Sequence, residues 1–286
     1  MTIAVTGATG FIGRYVIGDL ERRGIDATIV LRPGRTMPPG FNKHVVVRCD
    51  VNDPPPNLFE ALGRPATLIH LAWGGLPHYK SLHHFEQELP SQYRFLKTLV
   101  ESGLDACLVT GTCLEYGMQS GELSEAVPPL PTTAYGFAKD CLRRELEFLR
   151  SVHPFGLTWA RLFYTYGEGQ APTSLYSLLK AAAARGDASF DMSDGKQLRD
   201  YLPVEEVARS LVQLAITGRD AGIVNVCSGT ALSVGALVHR WMETHGWKFE
   251  LRLGRYAYPD YEPVEFWGAR AKLDRTIGQT GAAVNG

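Results

Sequence analysis

Three tyrosine–lysine pairs in this chain have the spacing for acid–base chemistry: Tyr93/Lys97, Tyr135/Lys139 and Tyr176/Lys180. Four residues apart on a helix, a phenol and an ammonium share one face. The cation is expected to favour the phenolate and to lower the tyrosine pKa from about 10 toward working pH. With three copies the pattern cannot choose, so position must. Tyr93/Lys97 lies in a helical stretch before an apolar strand at Cys107–Thr110, and Tyr176/Lys180 lies beyond the last clear strand. Both read as helix-surface residues. Tyr135/Lys139 opens the helix that follows the Cys107–Thr110 strand. Ligands in open α/β sheets bind beyond the carboxyl ends of strands. That end carries Thr110-Gly111-Thr112-Cys113, where a Thr112 hydroxyl can bond the phenol or a reacting oxygen.

A second group of residues suits phosphate. Thr6-Gly7-Ala8-Thr9-Gly10-Phe11-Ile12-Gly13 joins the first strand pattern to the first helix pattern. Its glycines allow a tight turn and close backbone approach to a pyrophosphate, and the helix N-terminus supplies free N–H groups. A dinucleotide is expected there, on Gly7, Thr9, Gly10, Phe11, Ile12 and Gly13. The second strand ends Val30-Leu31-Arg32-Pro33-Gly34-Arg35, with no acidic residue for the ribose hydroxyls of NAD. Arg32 and Arg35 offer cations to a 2′-phosphate, so NADP(H) is expected ahead of NAD(H). A solvated turn is the alternative for both. Arg14 is a weaker candidate for the same phosphate, and Asp50 with Val51 follows the third strand, where adenine would lie.

The elements that must position these groups alternate. Strands are expected at Ile3–Val5, Ala27–Leu31, Val45–Arg48, Leu68–Ala72, Cys107–Thr110 and Thr158–Phe163. Helices are expected at Phe11–Arg23, about Phe85–Ser102, Tyr135–Val152, Thr173–Arg185, Val204–Thr217 and Ser233–Thr244, the last capped by Ser233. Alternation at this spacing implies right-handed βαβ units and a parallel sheet. The fold class expected is α/β: a Rossmann-type doubly wound sheet with a smaller C-terminal α/β substrate lobe. The dinucleotide domain would span 1–165 with a return segment near 200–228, and the lobe 166–199 and 229–286.

Composition excludes several classes. The 286 residues are 45% hydrophobic and 21% charged, with a net charge of -1, so no basic excess points to nucleic acid or an anionic membrane. The five cysteines are scattered and form no C-x-x-C, which fits neither a disulfide framework nor a zinc site. No metal is expected, and His78, His83 and His84 read as surface histidines near the pocket. No run of about 18 apolar residues and no signal-like N-terminus occurs, so a cytoplasmic enzyme is expected.

Together the glycine string, Thr112, Tyr135 and Lys139 resemble the extended short-chain dehydrogenase/reductases, which act mostly on nucleotide sugars. His70-Leu71-Ala72 resembles that family's fourth-strand motif lining the cofactor. Thr112-Cys113-Leu114-Glu115-Tyr116-Gly117, Tyr135-Gly136-Phe137-Ala138-Lys139, Arg161 with Tyr166-Gly167, and Gly195 with Arg199-Asp200-Tyr201 resemble further segments. The resemblance implies roles. Tyr135 is the general acid–base, Lys139 binds the nicotinamide ribose, Thr112 orients the reacting oxygen, and Arg199 holds a diphosphate. Leu71 and Ala72 line the cofactor, while Trp73, Cys113 and Tyr164 line the substrate. A homodimer through the Phe85–Ser102 and Tyr135–Val152 helices is implied as well. Departures are Tyr164 and Glu88 where the family carries Asn, and Pro259-Asp260-Tyr261-Glu262 in place of Arg-Pro-Gly-Asp.

Three chemistries compete within that resemblance. A dehydratase would carry Asp-Glu after the threonine, where this chain has Cys113-Leu114. A 4-epimerase needs a retained oxidised cofactor, usually NAD. The arginines after the second strand argue for NADP(H) and so for one-way reduction, and the Leu71-Ala72-Trp73 variant and the tail from Pro259 through Phe266-Trp267-Gly268 to Lys272-Leu273 resemble nucleotide 6-deoxy-4-ketohexose reductases. The expected activity is therefore NADPH-dependent C4-ketone reduction, making a 6-deoxyhexose for a bacterial surface glycan such as lipopolysaccharide O-antigen. A small-carbonyl reductase and a non-catalytic NADP(H)-binding sensor stay open as alternatives.

Overall fold

The computed structural model describes residues 2–37, 41, 43–216 and 220–278. Its centre is a seven-stranded, wholly parallel sheet. Five strands come first in the chain: β1 (Ile3–Thr6), β2 (Ala27–Leu31), β3 (Val45–Arg48), β4 (Thr67–His70) and β5 (Ala106–Thr112). Strands Gly156–Leu162 and Gly222–Val226 complete it, in the order Gly222–Val226, Gly156–Leu162, β5, β4, β1, β2, β3. The order reverses at β1, which pairs with β2 on one side and β4 on the other, Thr6 facing both Val30 and His70. That reversal is the switch point where an open α/β sheet leaves a crevice.

Both faces are covered, which explains the unbroken apolar runs of β1, β2, β4 and β5. Helix α1 (Phe11–Arg22) packs one face beside the Val204–Ile216 helix, around Val16, Ile17, Leu20, Leu211 and Val224. The short α2 (Leu58–Ala61), α3 (Leu89–Glu101) and α4 (Ala134–Val152) cover the other, around Phe95, Leu96, Leu142 and Leu146. Edge strand β3 is mostly exposed.

Several boundaries differ from the sequence reading. The fourth strand stops at His70, because the Leu71 and Ala72 N–H groups turn to donate to Thr6 Oγ1 at 3.1 and 3.2 Å. The helix expected from Phe85 opens as a π-helical turn over His84–Glu88 before α3 begins at Leu89. The expected end of the Val204 helix at Thr217 lies outside the described residues, which show Val204–Ile216. Ser233 caps the Val234–His245 helix by accepting from Ala236 N at 3.1 Å.

Beyond the sheet, paired short strands and the Leu175–Arg185 and Val234–His245 helices enclose a separate apolar cluster around Tyr176, Leu179, Val238 and Trp241. Tyr176 is thus a buried residue of that cluster and not a helix-surface one. Among the described residues no helix is long and apolar enough to cross a membrane, and none of the five cysteines is in a disulfide.

Candidate active site

The glycine loop follows from contact distances. Gly7 has a positive φ of 68°, and a Cβ there would lie 2.9 Å from Ala72 N. A Cβ on Gly13 would lie 2.1 Å from Gly7 O, so the helix can meet the loop only through a glycine. A cleft of about 490 Å³ opens over this loop, lined by Gly7, Thr9, Gly10, Arg32, Arg35, Val51, Leu71, Ala72 and Trp73. The loop therefore fits a pyrophosphate on the α1 N-terminus. Arg32 and Arg35 are exposed at one end of the cleft. Asp50 is not among the lining residues; its carboxylate accepts from Asn52 N at 3.0 Å. Arg14 points elsewhere and donates to Gly169 O at 3.1 Å.

Beneath the loop, Thr6 Oγ1 and His70 Nδ1 are 3.0 Å apart, and His70 Nε2 is 2.7 Å from Gln92 Oε1. Because Thr6 Oγ1 already accepts two N–H groups, its hydroxyl donates to Nδ1 and Nε2–H donates to Gln92. Burial pushes His70 down to about 3, so the ring is neutral. Gln92 donates in turn to Glu88 Oε2 at 2.8 Å. Glu88, expected only as a departure from an Asn, is a buried acceptor at the end of this chain.

A second cleft, of about 240 Å³, is lined by Phe11, Ile12, Thr112, Cys113, Tyr135, Tyr164 and Glu262. The sequence places Tyr135 there through a local signal. Thr133 caps α4 by accepting from Gly136 N at 3.1 Å, which sets Tyr135 in the first turn. The Tyr135 N–H donates to Tyr79 O at 3.0 Å. Thr112 ends β5 and lines the same cleft, its hydroxyl close enough to the Tyr135 phenol to favour the ionised form. Lys139, one turn on, donates to Thr110 O at 2.8 Å and sits 3.9 Å from the centre of the Trp73 ring.

This geometry reverses the expected electrostatics. Burial, with the nearby Tyr79, Glu115 and Cys113, pushes the Tyr135 phenol well above its ordinary value, and the Thr112 hydroxyl only partly opposes it. Lys139, 5.9 Å from the centre of the Tyr135 ring, does not bring the phenol down. Burial instead drives Lys139 down to about 7, with Glu115 and Glu88 opposing. The resting tyrosine is a neutral acid, not a phenolate. Cys113 is likewise an inert thiol, raised mainly by burial. Trp73, expected against substrate, serves as the floor under Lys139 and a wall of the first cleft.

Three further groups escaped the sequence reading. Glu115, fully buried, accepts from Thr112 N at 2.8 Å and from Arg161 Nε at 2.7 Å, pinning the end of β5. The Thr112-x-x-Glu115 spacing is a capping box and was a legible signal. His84 is fully buried against the Tyr135 ring, at 5.2 Å between centroids, and is no surface residue. Glu262 pairs with Arg199 at 3.1 Å. Arg199 is buried, also donates to the Leu198 and Val264 carbonyls at 2.9 Å each, and leans on the Phe266 ring. Tyr164 lies beside this pair, its buried hydroxyl facing Glu262 without a well-formed hydrogen bond. Arg199, Tyr164 and Glu262 line a third cleft of about 400 Å³ with Tyr166, Tyr201 and Tyr261.

The family model for the NAD dependent epimerase/dehydratase family matches residues 3–227, which span the glycine loop, Thr112, Tyr135 and Lys139. The chain belongs to this family. Among epimerase/dehydratase relatives, dTDP-6-deoxy-L-talose 4-dehydrogenase (NAD(+)) of Aggregatibacter actinomycetemcomitans is 26% identical over 94% of this chain and 100% of its own length. The dTDP-6-deoxy-L-talose 4-dehydrogenase (NAD(P)(+)) of Kitasatospora kifunensis is 27% identical over 85% of this chain and 79% of its own. Of solved structures, MoeE5 in complex with UDP-glucuronic acid and NAD superposes with a TM-score of 0.81 at 27% identity, covering 97% of this chain and 93% of that one.

Proposed function

We propose that this protein reduces the C4 ketone of a nucleotide-activated 4-keto-6-deoxyhexose with NADPH. The observation that carries the reading is the second cleft, where Thr112 and Tyr135 stand together and burial keeps Tyr135 protonated, beside the Trp73 ring that lines the first cleft and carries Lys139. Two relatives are named 4-dehydrogenases of a dTDP-6-deoxyhexose, and the reverse of such an oxidation is reduction of the 4-ketone.

Gly7, Thr9, Gly10 and Gly13 hold the pyrophosphate, Val51, Leu71 and Ala72 line the adenosine and nicotinamide path, and Lys139 binds the nicotinamide ribose. Phe11 and Ile12 wall the passage to the second cleft. A bound nicotinamide supplies the hydride to the C4 carbon. Tyr135 donates its proton to the oxygen at C4, and Thr112 hydrogen-bonds that oxygen as charge develops on it. Cys113, Tyr164 and Tyr79 shape the sugar pocket. Arg199 meets the diphosphate, dividing its guanidinium donors between that group and the Glu262 carboxylate. The exposed Phe137, Phe148 and Val152 on α4 suit a homodimer, and the chain acts in the cytoplasm without membrane or nucleic-acid partners.

Cofactor choice rests on Arg32 and Arg35, the charged residues lining the far end of the first cleft. Replacing both by alanine is expected to raise the NADPH KM at least about tenfold and leave the NADH KM within about twofold, since each lost charge-assisted contact is worth about 1.5–3 kcal/mol. Equal effects on both cofactors would remove the NADP(H) assignment. A second reading, nucleotide-sugar 4-epimerase, draws support from the likeness to MoeE5 in complex with UDP-glucuronic acid and NAD. It predicts interconversion of two UDP-hexoses with no net NADPH oxidation.

A further inference from the structure

The buried histidine next to the active site has both ring nitrogens committed. Trp73 Nε1 lies 3.1 Å from His84 Nδ1, and His84 Nε2 lies 3.1 Å from the His78 carbonyl oxygen. An indole N–H can only donate, so Nδ1 is the acceptor. Nε2 therefore carries the proton and donates to His78 O. One neutral tautomer satisfies both bonds, and an imidazolium would set N–H against N–H.

Trp73 is the link to the chemistry. Its ring carries the Lys139 ammonium at 3.9 Å, a cation–π contact of desolvated geometry. The same ring packs on Tyr135 at 5.9 Å between centroids, and His84 packs on Tyr135 at 5.2 Å. Packing alone does not call for a histidine here. A phenylalanine would fill the space without burying a polar ring, whose cost only its hydrogen bonds offset.

We propose that His84 is a positioning residue: by holding the Trp73 indole it fixes the surface on which the Lys139 ammonium rests, and so sets the geometry of the Tyr135/Lys139 pair. The inference rests on the proposed roles of Tyr135 as proton donor and of Lys139 at the nicotinamide ribose. It adds a pH-sensitive element to that site. The groups facing His84 are His83 and Glu88 from its own turn, Lys139 and Tyr135 from α4, and the His78 carbonyl. Burial first, then His83 and Lys139, hold the imidazole below its ordinary value, against the His78 carbonyl and Glu88. Acid must therefore go below about pH 6.5 to break the Trp73 bond.

Three variants and one spectrum test this. In 15N-tryptophan-labelled protein, the Trp73 indole resonance, assigned by its loss in Trp73→Phe, should shift as pH falls below about 6.5. It should stay fixed in His84→Asn, whose amide oxygen takes the Nδ1 position but does not titrate. In kinetics, His84→Phe should lower kcat about tenfold with the sugar KM within about twofold, and His84→Asn should recover kcat to within about threefold. The double variant His84→Phe/Trp73→Phe should be no slower than the slower single variant, because the residues act in series.

A Trp73 resonance that titrates alike in wild type and His84→Asn would overturn the proposal. So would multiplying kcat losses in the double variant, or equal losses in His84→Phe and His84→Asn. Should His84→Phe fail to fold, His84→Asn and Trp73→Phe still decide. The spectrum needs no turnover, so an inactive wild type would count against the reaction and not against this linkage.

Discussion

At the scale of single residues, the site is governed by desolvation more than by neighbouring charge. Tyr135 and Lys139 are both buried, and each is driven toward its neutral form. For ketone reduction that is the useful state of the tyrosine, because the acid must hold a proton before the oxygen takes one. Tyr135→Phe is expected to lower kcat by about 10²–10⁴-fold. NADPH affinity should change little, since the phenol lines the second cleft and not the first; near-normal turnover would exclude the role. The pH dependence has a definite sign. Lys139 is charged below about 7 and loses its proton above it. The kcat/KM for NADPH, which reports the free enzyme, should therefore fall as pH rises through that value, whereas Tyr135 stays protonated throughout. A flat profile from pH 6 to 9 would contradict the assignment. The pair itself was legible from its place after β5. Its electrostatics were not, because Lys139 turns to Thr110 O and the Trp73 ring, two partners no sequence spacing indicates.

At the scale of elements, the end of β5 is held by one buried carboxylate. Glu115 binds the Thr112 N–H, the Trp159 indole and Arg161 from the neighbouring strand, and both members of its ion pair are fully buried. Removing one partner strands the other's charge. Glu115→Ala should cost about 3–5 kcal/mol in urea unfolding, and Glu115→Gln, which keeps acceptor and shape, distinctly less. Equal losses would show that the charge alone matters and that the acceptor and shape contribute nothing. The parallel strands and their helices were readable because buried apolar runs and amphipathic periods are local properties. The α4 helix was expected from Tyr135 and starts at Ala134, where Thr133 caps it. The π-turn at His84–Glu88 was not, because an i→i+5 turn leaves no distinctive pattern, and its omission put His84 on the surface.

At the scale of the whole molecule, the first cleft opens over the glycine loop at the switch point of the sheet, and the lobe built from later segments forms a third cleft that shares Tyr79, Tyr164 and Glu262 with the second. The α/β class and the cofactor end of this arrangement were open to reading, because the glycine loop sits at a strand–helix junction. The substrate end was not. Arg199 and Glu262 meet across 63 residues of chain, and only the folded lobe shows that the arginine expected to face a diphosphate already holds a carboxylate. The central claim joins these parts into one reaction. It is tested most directly by following NADPH absorbance while purified protein meets a panel of nucleotide 4-keto-6-deoxyhexoses. The account predicts that one of them oxidises NADPH mole for mole, at a rate abolished in Tyr135→Phe. No NADPH consumption across the panel, with interconversion of UDP-hexoses instead, would contradict it.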